Sequence, residues 1–403
     1  MSRLDELIKK LCPDGVEYVK IGKLCDKTKN IQWNNVSETF EYIDLATVDI
    51  STHNITSTIT ITKYDAPSRA RQIVKTDDIL FATTRPTQMR VCKISSKYDG
   101  QICSTGFCVL RPLKDSVIPS YLLHAISTEY FKLYLEKNQS IGNYPAISDS
   151  LLKKFQIPLP PLEVQREIVR ILDSFTEYID LLEKELVLRK KQYTYYRDYL
   201  LNFGDDVKRR TLGEVCNILT GYPFDSSLFS ESGVRLMRGM NIKRGQLDFT
   251  ETNNRYWNDI SGFEKYLLNE NDIVIAMDGS LVGKSYGIIK KEELPLILVQ
   301  RVARLRSDTM NIRYVYFWIL SHFTDYVDKK KSPGAIPHIS QKDISNFKIP
   351  VPSLEEQERI VAILDRFDRL CNDFTCGLPA EIQARQKQYA YYRDKLLNFK
   401  KLN

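Results

Sequence analysis

The chain contains a near-copy of itself, and this limits what it can fold into more than any single motif does. Phe155-Gln-Ile-Pro-Leu-Pro-Pro-Leu-Glu-Val-Gln-Arg-Glu-Ile-Val returns 192 residues later as Phe347-Lys-Ile-Pro-Val-Pro-Ser-Leu-Glu-Glu-Gln-Glu-Arg-Ile-Val. Further on, Lys191-Gln-Tyr-Thr-Tyr-Tyr-Arg-Asp-Tyr-Leu-Leu-Asn-Phe203 returns as Lys387-Gln-Tyr-Ala-Tyr-Tyr-Arg-Asp-Lys-Leu-Leu-Asn-Phe399, with the offset grown to 196. A period near 190 is far longer than the roughly 20–50 residues of solenoid repeats. It fits a domain plus a long helix, duplicated once. Between the matched blocks the halves differ almost completely, which suits a constant scaffold carrying two different recognition modules.

The matched blocks read as helices. Ile168, Ile171, Phe175, Tyr178 or Ile179, Leu182 and Leu186 step by three and four, and the register resumes at Tyr193, Tyr196, Leu200 and Phe203. This heptad-like stripe predicts one coiled-coil helix. Pro160-Pro161 marks its start and Gly204 the place for a left-handed cap. The second copy runs Ile360, Ile363, Phe367, Leu370, Phe374, Leu378, Ile382, then Tyr389, Tyr392, Leu396 and Phe399. Its extra four residues fall around Cys376-Gly377-Leu378-Pro379, where proline removes a donor and predicts a break. One helix is expected in the first copy and two pieces in the second. Each buries only a narrow stripe, so the copies should pack antiparallel into a rod of roughly 54 Å at about 1.5 Å per residue.

The two inserts carry strand-like runs. These are Ser57–Thr62, Asp78–Ala82 and Gly106–Leu110 in the first, and Asp272–Ala276 and Val299–Ala303 in the second. Helices are expected over Tyr121–Glu136 and Ile312–Val327. Short fragments hint at one fold: Lys20–Cys25 matches Thr211–Cys216, Asp78–Ala82 matches Asp272–Ala276, and Gly142–Ser148 matches Gly334–Ser340. Leu7–Leu11 resembles a helix end leading into a domain, so the two termini should meet. The expected class is α+β: two mixed domains separated by a pair of long antiparallel coiled-coil helices, with pseudo-two-fold internal duplication. The boundaries are 1–155, 156–204, 205–347 and 348–403.

Several chemistries find no support. Gly279-Ser-Leu-Val-Gly-Lys-Ser285 has three residues between its glycines where a phosphate loop needs four, and another strand follows, so a hairpin turn is expected. The four histidines (His53, His124, His322, His338) have no metal-ligand spacing. Of the eight cysteines, Cys103/Cys108 and Cys371/Cys376 share a spacing, but nothing completes a zinc pattern. Reduced thiols are expected, with no metal, no cofactor and no catalytic site. No glycine-rich methyl-donor loop or Asn-Pro-Pro-aromatic motif occurs. No apolar run reaches the roughly 18 residues of a membrane span, and the charged opening lacks the apolar core of a secretory signal. A cytoplasmic location is expected.

The net charge of +7 is compatible with a polyanionic partner but does not require one. Candidate DNA contacts are Thr84, Arg85, Gln88 and Arg90 in the first insert. The second offers Arg235, Arg238, Asn241, Lys243, Arg244, Lys284 and the run Lys329–Lys331. Arg, Asn and Gln can pair with base edges and Lys can neutralise phosphate; each could equally be a solvated surface residue. The tyrosines Tyr193, Tyr195, Tyr196, Tyr199, Tyr389, Tyr391 and Tyr392 exceed what one helical seam can bury, which points to a protein partner.

The doubled Ile157–Val169 and Ile349–Val361 blocks, each preceded by Gly-x-x-Pro-x-Ile-Ser, resemble specificity subunits of type I restriction–modification systems. The resemblance covers the whole order of variable domain, constant helix, variable domain, constant helix. It implies that each variable domain reads one half of a bipartite, asymmetric DNA site. It also implies that the helices set the spacer and bind two adenine-methylating subunits, with two motor-nuclease subunits able to join. The alternative is a two-armed protein scaffold with no DNA role.

Overall fold

A computed structural model describes residues 2–50, 52–330 and 337–402. The chain forms two compact units, Met1–Glu185 with Ala380–Asn403, and Leu186–Pro379. Among the described residues no helix is long and apolar enough to cross a membrane.

The first unit is built on an antiparallel sheet in the order Cys25–Asp26, Phe107–Pro112, Ile79–Ala82, Val91–Lys93. Ile79-Leu-Phe-Ala82 is buried on both faces, which is why the run reads as continuously apolar rather than alternating. A second sheet of five strands contains one parallel pair, Phe40–Ile43 beside Ile102–Ser104. A two-stranded ribbon, Tyr18–Lys20 with Gln156–Pro158, leads into the framework helix. The expected helix over Tyr121–Glu136 is instead two, Pro119–Ala125 and Glu129–Asn138. Thr128 divides them: its hydroxyl donates to the Ala125 carbonyl (2.9 Å) and accepts from the Phe131 amide (3.3 Å), capping the second helix. The termini meet in this unit, where Val16 bridges Lys401 and the Tyr18 hydroxyl donates to the Phe399 carbonyl (2.8 Å).

The second unit repeats the scheme. Its sheet runs Asn217–Thr220, Val302–Arg306, Ile273–Ala276, Tyr286–Ile288, with all pairs antiparallel. The smaller sheet again holds one parallel pair, Val234–Met237 with Leu296–Leu298. The ribbon is Arg209–Thr211 with Lys348–Pro350. Ile312–Asp328 is a single helix as expected. The strand expected at Val299 starts at Val302, because Gln300 and Arg301 form a turn in which Arg301 takes φ 72°. The Gly279–Ser285 run is the expected connection between antiparallel strands.

The framework follows the periodicity. Leu162–Leu200 is one helix of 39 residues, while the second copy is Leu354–Asn372 and Leu378–Leu396. The break lies before Pro379, which occupies the first turn of the later helix, where its missing N–H is not needed. Two other residues cause the break. Asp373 accepts from the Thr375 amide (2.7 Å) and hydroxyl (2.6 Å), and a side chain at Gly377 would meet the Arg369 carbonyl at 2.4 Å. Gly204 is not the cap of the first helix. That helix ends four residues earlier, and Gly204 is not among the residues with positive φ.

Within each unit the framework pieces lie antiparallel. In the first, Phe175 stacks on Tyr392 (5.4 Å) and Tyr178 meets Arg385 (5.5 Å). In the second, Tyr193 and Tyr196 both stack on Phe367 (6.2 and 5.5 Å).

One glutamine explains why the doubled block is constant. Gln165 is fully buried; its carbonyl accepts from the Ile118 amide (3.0 Å) and its amide donates to the Ser116 (3.1 Å) and Pro160 (2.8 Å) carbonyls. Gln357 does the same 192 residues on, accepting from the Asn311 amide (2.9 Å) and donating to the Pro352 carbonyl (2.9 Å). Each amide fastens the start of a framework helix to the start of a domain helix. Gln165→Leu deprives three backbone groups of this partner, and the Pro160 carbonyl is buried, so a loss of about 1–3 kcal/mol is expected. Urea unfolding measures it, and a loss below about 1 kcal/mol would contradict this role.

Candidate nucleic-acid interface

In each unit the chain leaves the central strand through a loop strapped by the Gly-x-x-Pro-x-Ile-Ser segment. In the first, the Ile147 amide donates to the Thr83 carbonyl (2.9 Å) and the Arg85 amide to the Pro145 carbonyl (2.6 Å). In the second, Ile339 donates to Met277 (2.8 Å) and Gly279 to Pro337 (3.1 Å). Gly334–Ile336 lie outside the described residues, as does Lys331. The serine that ends the segment caps the next short helix in both units: Ser148 accepts from the Leu151 amide and Ser340 from the Asp343 amide.

At the opposite end of the same strands, each unit carries a repeated ion pair. Arg111 grips Asp78 with two hydrogen bonds (2.9 and 2.7 Å), and Arg306 grips Asp272 likewise (both 2.7 Å). Both carboxylates are 1% exposed, and each also accepts a backbone amide, from Lys75 (2.8 Å) and Asn269 (2.7 Å). The hydrogen bonds that Arg111 and Arg306 donate to Asp78 and Asp272 push their pKa up from the ordinary arginine value. The signal for the pair was present in sequence, since the aspartates open the matched Asp78–Ala82 and Asp272–Ala276 runs, but their arginines stand far away in the chain.

Of the candidates in the first insert, Arg85 and Gln88 are exposed on the strapped loop, and Thr84 is half-buried, bridging Ala146 through its backbone. Arg90 is drawn inward: its Nη1 donates to the Leu45 carbonyl (2.7 Å) and to that of Val48. In the second, Lys243, Arg244, Lys284, Lys329 and Lys330 are exposed. Three other candidates turn inward. Asn241 is fully buried; its carbonyl accepts from the Arg238 amide (3.2 Å) and its amide donates to Asp248 (2.9 Å) and Asn253 (3.2 Å) carbonyls. Arg238 donates to the Asn253 carbonyl (2.8 Å), and Arg235 lies over Phe249 (4.7 Å). Arg90, Arg238 and Asn241 are thus engaged within the module. Their polar groups hold the module's own backbone, and short-range pattern cannot separate such residues from base readers.

The tyrosines divide as well. Tyr193 is 7% exposed, and Tyr389 hydrogen-bonds His124 (2.8 Å), which holds Asp173 (2.8 Å) through its other ring nitrogen. Burial pushes the Tyr389 hydroxyl up to about 12. Tyr392 packs on Phe175. Tyr195, Tyr199 and Tyr391 are exposed and Tyr196 is at the margin, with Tyr195 and Tyr199 stacked at 6.2 Å. Among the described residues no group of three or more His, Cys, Asp or Glu side chains gathers as metal ligands, and the eight cysteines are free thiols.

The duplication seen in hydrogen bonds is the one seen by a family model. The model of the type I restriction modification DNA specificity domain matches twice, over residues 13–188 and 204–384. The chain belongs to this family. Its specificity domains thus each take in one insert and most of the following framework segment. Among relatives, the Escherichia coli EcoR124I/EcoR124II type I restriction enzyme specificity subunit is 38% identical over 283 residues. That alignment covers 66% of this chain and 66% of the relative, just under two thirds of its length. A chain from a structure addressing assembly and conformational transition of the type I R-M system matches at TM-score 0.64 and 25% identity, over 96% of this chain and 98% of that one. The crystal structure of the HsdS subunit from Thermoanaerobacter tengcongensis matches at TM-score 0.50 and 26% identity, over 96% and 97%.

Proposed function

We propose that this specificity-domain protein is a non-catalytic DNA-recognition subunit of a type I restriction–modification complex, acting in the cytoplasm. Each domain reads one half of a bipartite, asymmetric site. The observation that carries this reading is the repeated frame with unlike tips. Strap, ion pair and glutamine recur in both units, whereas the exposed loop residues do not: Arg85 and Gln88 in one, Lys284 with Lys243 and Arg244 in the other. Two different readers cannot recognise a palindrome. Phosphate contacts by the exposed lysines and arginines supply the salt-dependent part of the affinity.

The framework helices set the spacer and dock two methyltransferase subunits, with two restriction subunits able to join. The exposed Tyr195, Tyr199 and Tyr391 support docking, since tyrosine is favoured at interfaces. One added turn, four residues between Glu183 and Arg189 matched by four in Asp373–Gly377, lengthens the framework by about 6 Å. At about 3.4 Å per base pair the recognised spacer grows by roughly one or two base pairs. An unchanged spacer in an active complex would show that the helices do not set it.

Binding to duplex DNA tests the reading as a whole. With the methylating partner present, a duplex carrying the native site is held roughly 10³-fold or more tighter than a scrambled one, and both weaken as salt rises. Equal binding to the two would favour a protein scaffold.

A further inference from the structure

The two strapped loops share one backbone path and differ at its third residue. That residue donates to the proline carbonyl in both units, Arg85 to Pro145 and Gly279 to Pro337. Both lie in the left-handed region, with φ 50° at Arg85 and 101° at Gly279. Glycine adopts such angles freely, whereas a side chain bearing Cβ is strained there, and arginine is not among the residues enriched in that region. The second unit has the relaxed solution. The first keeps an exposed arginine where the backbone favours glycine.

The side chain's surroundings indicate a use. The Arg85 guanidinium lies 5.0 Å from the centroid of the Tyr144 ring, on the strap itself. Arg85 and Tyr144 are both exposed, and Tyr144 keeps 73% of its surface open. Among the described residues no carboxylate pairs with Arg85. A contact over the ring face leaves the N–H edges of the guanidinium open and modestly favours this placement. In sequence the partner positions change together: Arg85 and Tyr144 in the first copy stand where the second has Gly279 and Ile336. An arginine and the tyrosine that supports it are present in one copy and absent as a pair from the other.

We propose that Arg85, held by Tyr144, reads a guanine in the half-site of the first domain, donating two hydrogen bonds to its O6 and N7. This rests on the reading of the chain as a DNA-recognition subunit. A fixed, planar fork is what bidentate contact with guanine requires. Neutralising a phosphate requires only a charge, which a mobile lysine supplies without left-handed backbone.

The test selects the full chain, with its methylating partner, against a pool of random-sequence duplexes, for the native protein and for Arg85→Gly, Arg85→Lys and Tyr144→Ala. The native protein should enrich a bipartite sequence with a guanine at one position of one half-site. Arg85→Gly and Arg85→Lys should lose discrimination at that base pair by about 10- to 100-fold and keep the other half-site unchanged. Tyr144→Ala should relax the same base pair to a lesser degree. Arg85→Gly relieves the backbone, so its thermal midpoint should equal or exceed the native one, which separates lost reading from lost folding. The proposal is overturned if Arg85→Lys keeps full discrimination, if Arg85→Gly weakens all sequences uniformly with a shallower salt dependence, as a phosphate contact would, or if no single base pair responds. Failure of the native protein to enrich any sequence would instead remove the DNA-recognition reading beneath it.

Discussion

Exchanging residues 205–347 for the corresponding segment of a relative changes one half of the recognised sequence and leaves the other half intact. Each unit carries its own sheet, strap and ion pair, and the unit-two contacts that cross the cut combine an apolar core, the Arg313–Asp365 ion pair and bonds to backbone. Gln357 accepts from the Asn311 amide, and the Tyr314 hydroxyl donates to the Pro350 carbonyl (3.1 Å). A relative's segment with the same backbone path satisfies the glutamine whatever its loops contain. The discrimination transferred is large, since specific sites are held roughly 10³–10⁷ times tighter than non-specific DNA. The old site should therefore be abandoned rather than merely weakened. Sequencing of methylated sites for native and exchanged proteins measures it. A change in both halves would mean that the domains do not read independently.

The largest stability effect is expected from Asp78→Ala. Asp78 holds Arg111 with both oxygens and accepts the Lys75 amide, and the Arg111 side chain is only 15% exposed. Removing one member of a buried pair strands the other charge and costs about 3–5 kcal/mol, a large fraction of the roughly 5–15 kcal/mol that holds a domain folded. Asp272→Ala removes the same contacts in the second unit, but Arg306 is 36% exposed and can turn to water, so its loss should be smaller. Thermal unfolding should rank Asp78→Ala below Asp272→Ala, and Asp272→Ala below the native protein. Equal midpoints for all three would contradict the role given to the pair.

Much of this fold was legible because duplication and helical periodicity are both long-range signals. The continuous first helix follows from residues such as Phe175 and Leu182 in register, the divided second one from the insertion at Cys376–Pro379, and the meeting of the termini from Leu7–Leu11. Boundaries set by a single side chain were not legible. Thr128 splits a helix that hydrophobic spacing alone would continue, and Arg301 in the left-handed region delays a strand by three residues. At the candidate site, the matching Asp78 and Asp272 runs were visible while Arg111 and Arg306 were not, because ion pairs depend on the fold. Arg90 and Asn241 have the residue type of base readers, and only the folded hydrogen bonding reveals that they bind their own backbone.

The measurement closest to the central claim is a map of methylated adenines in cells with and without this chain, its partner subunits held constant. Two unlike reading domains on one frame predict that a single bipartite, asymmetric sequence loses methylation when the chain is removed. A palindromic sequence, or a map that does not change, would contradict the account.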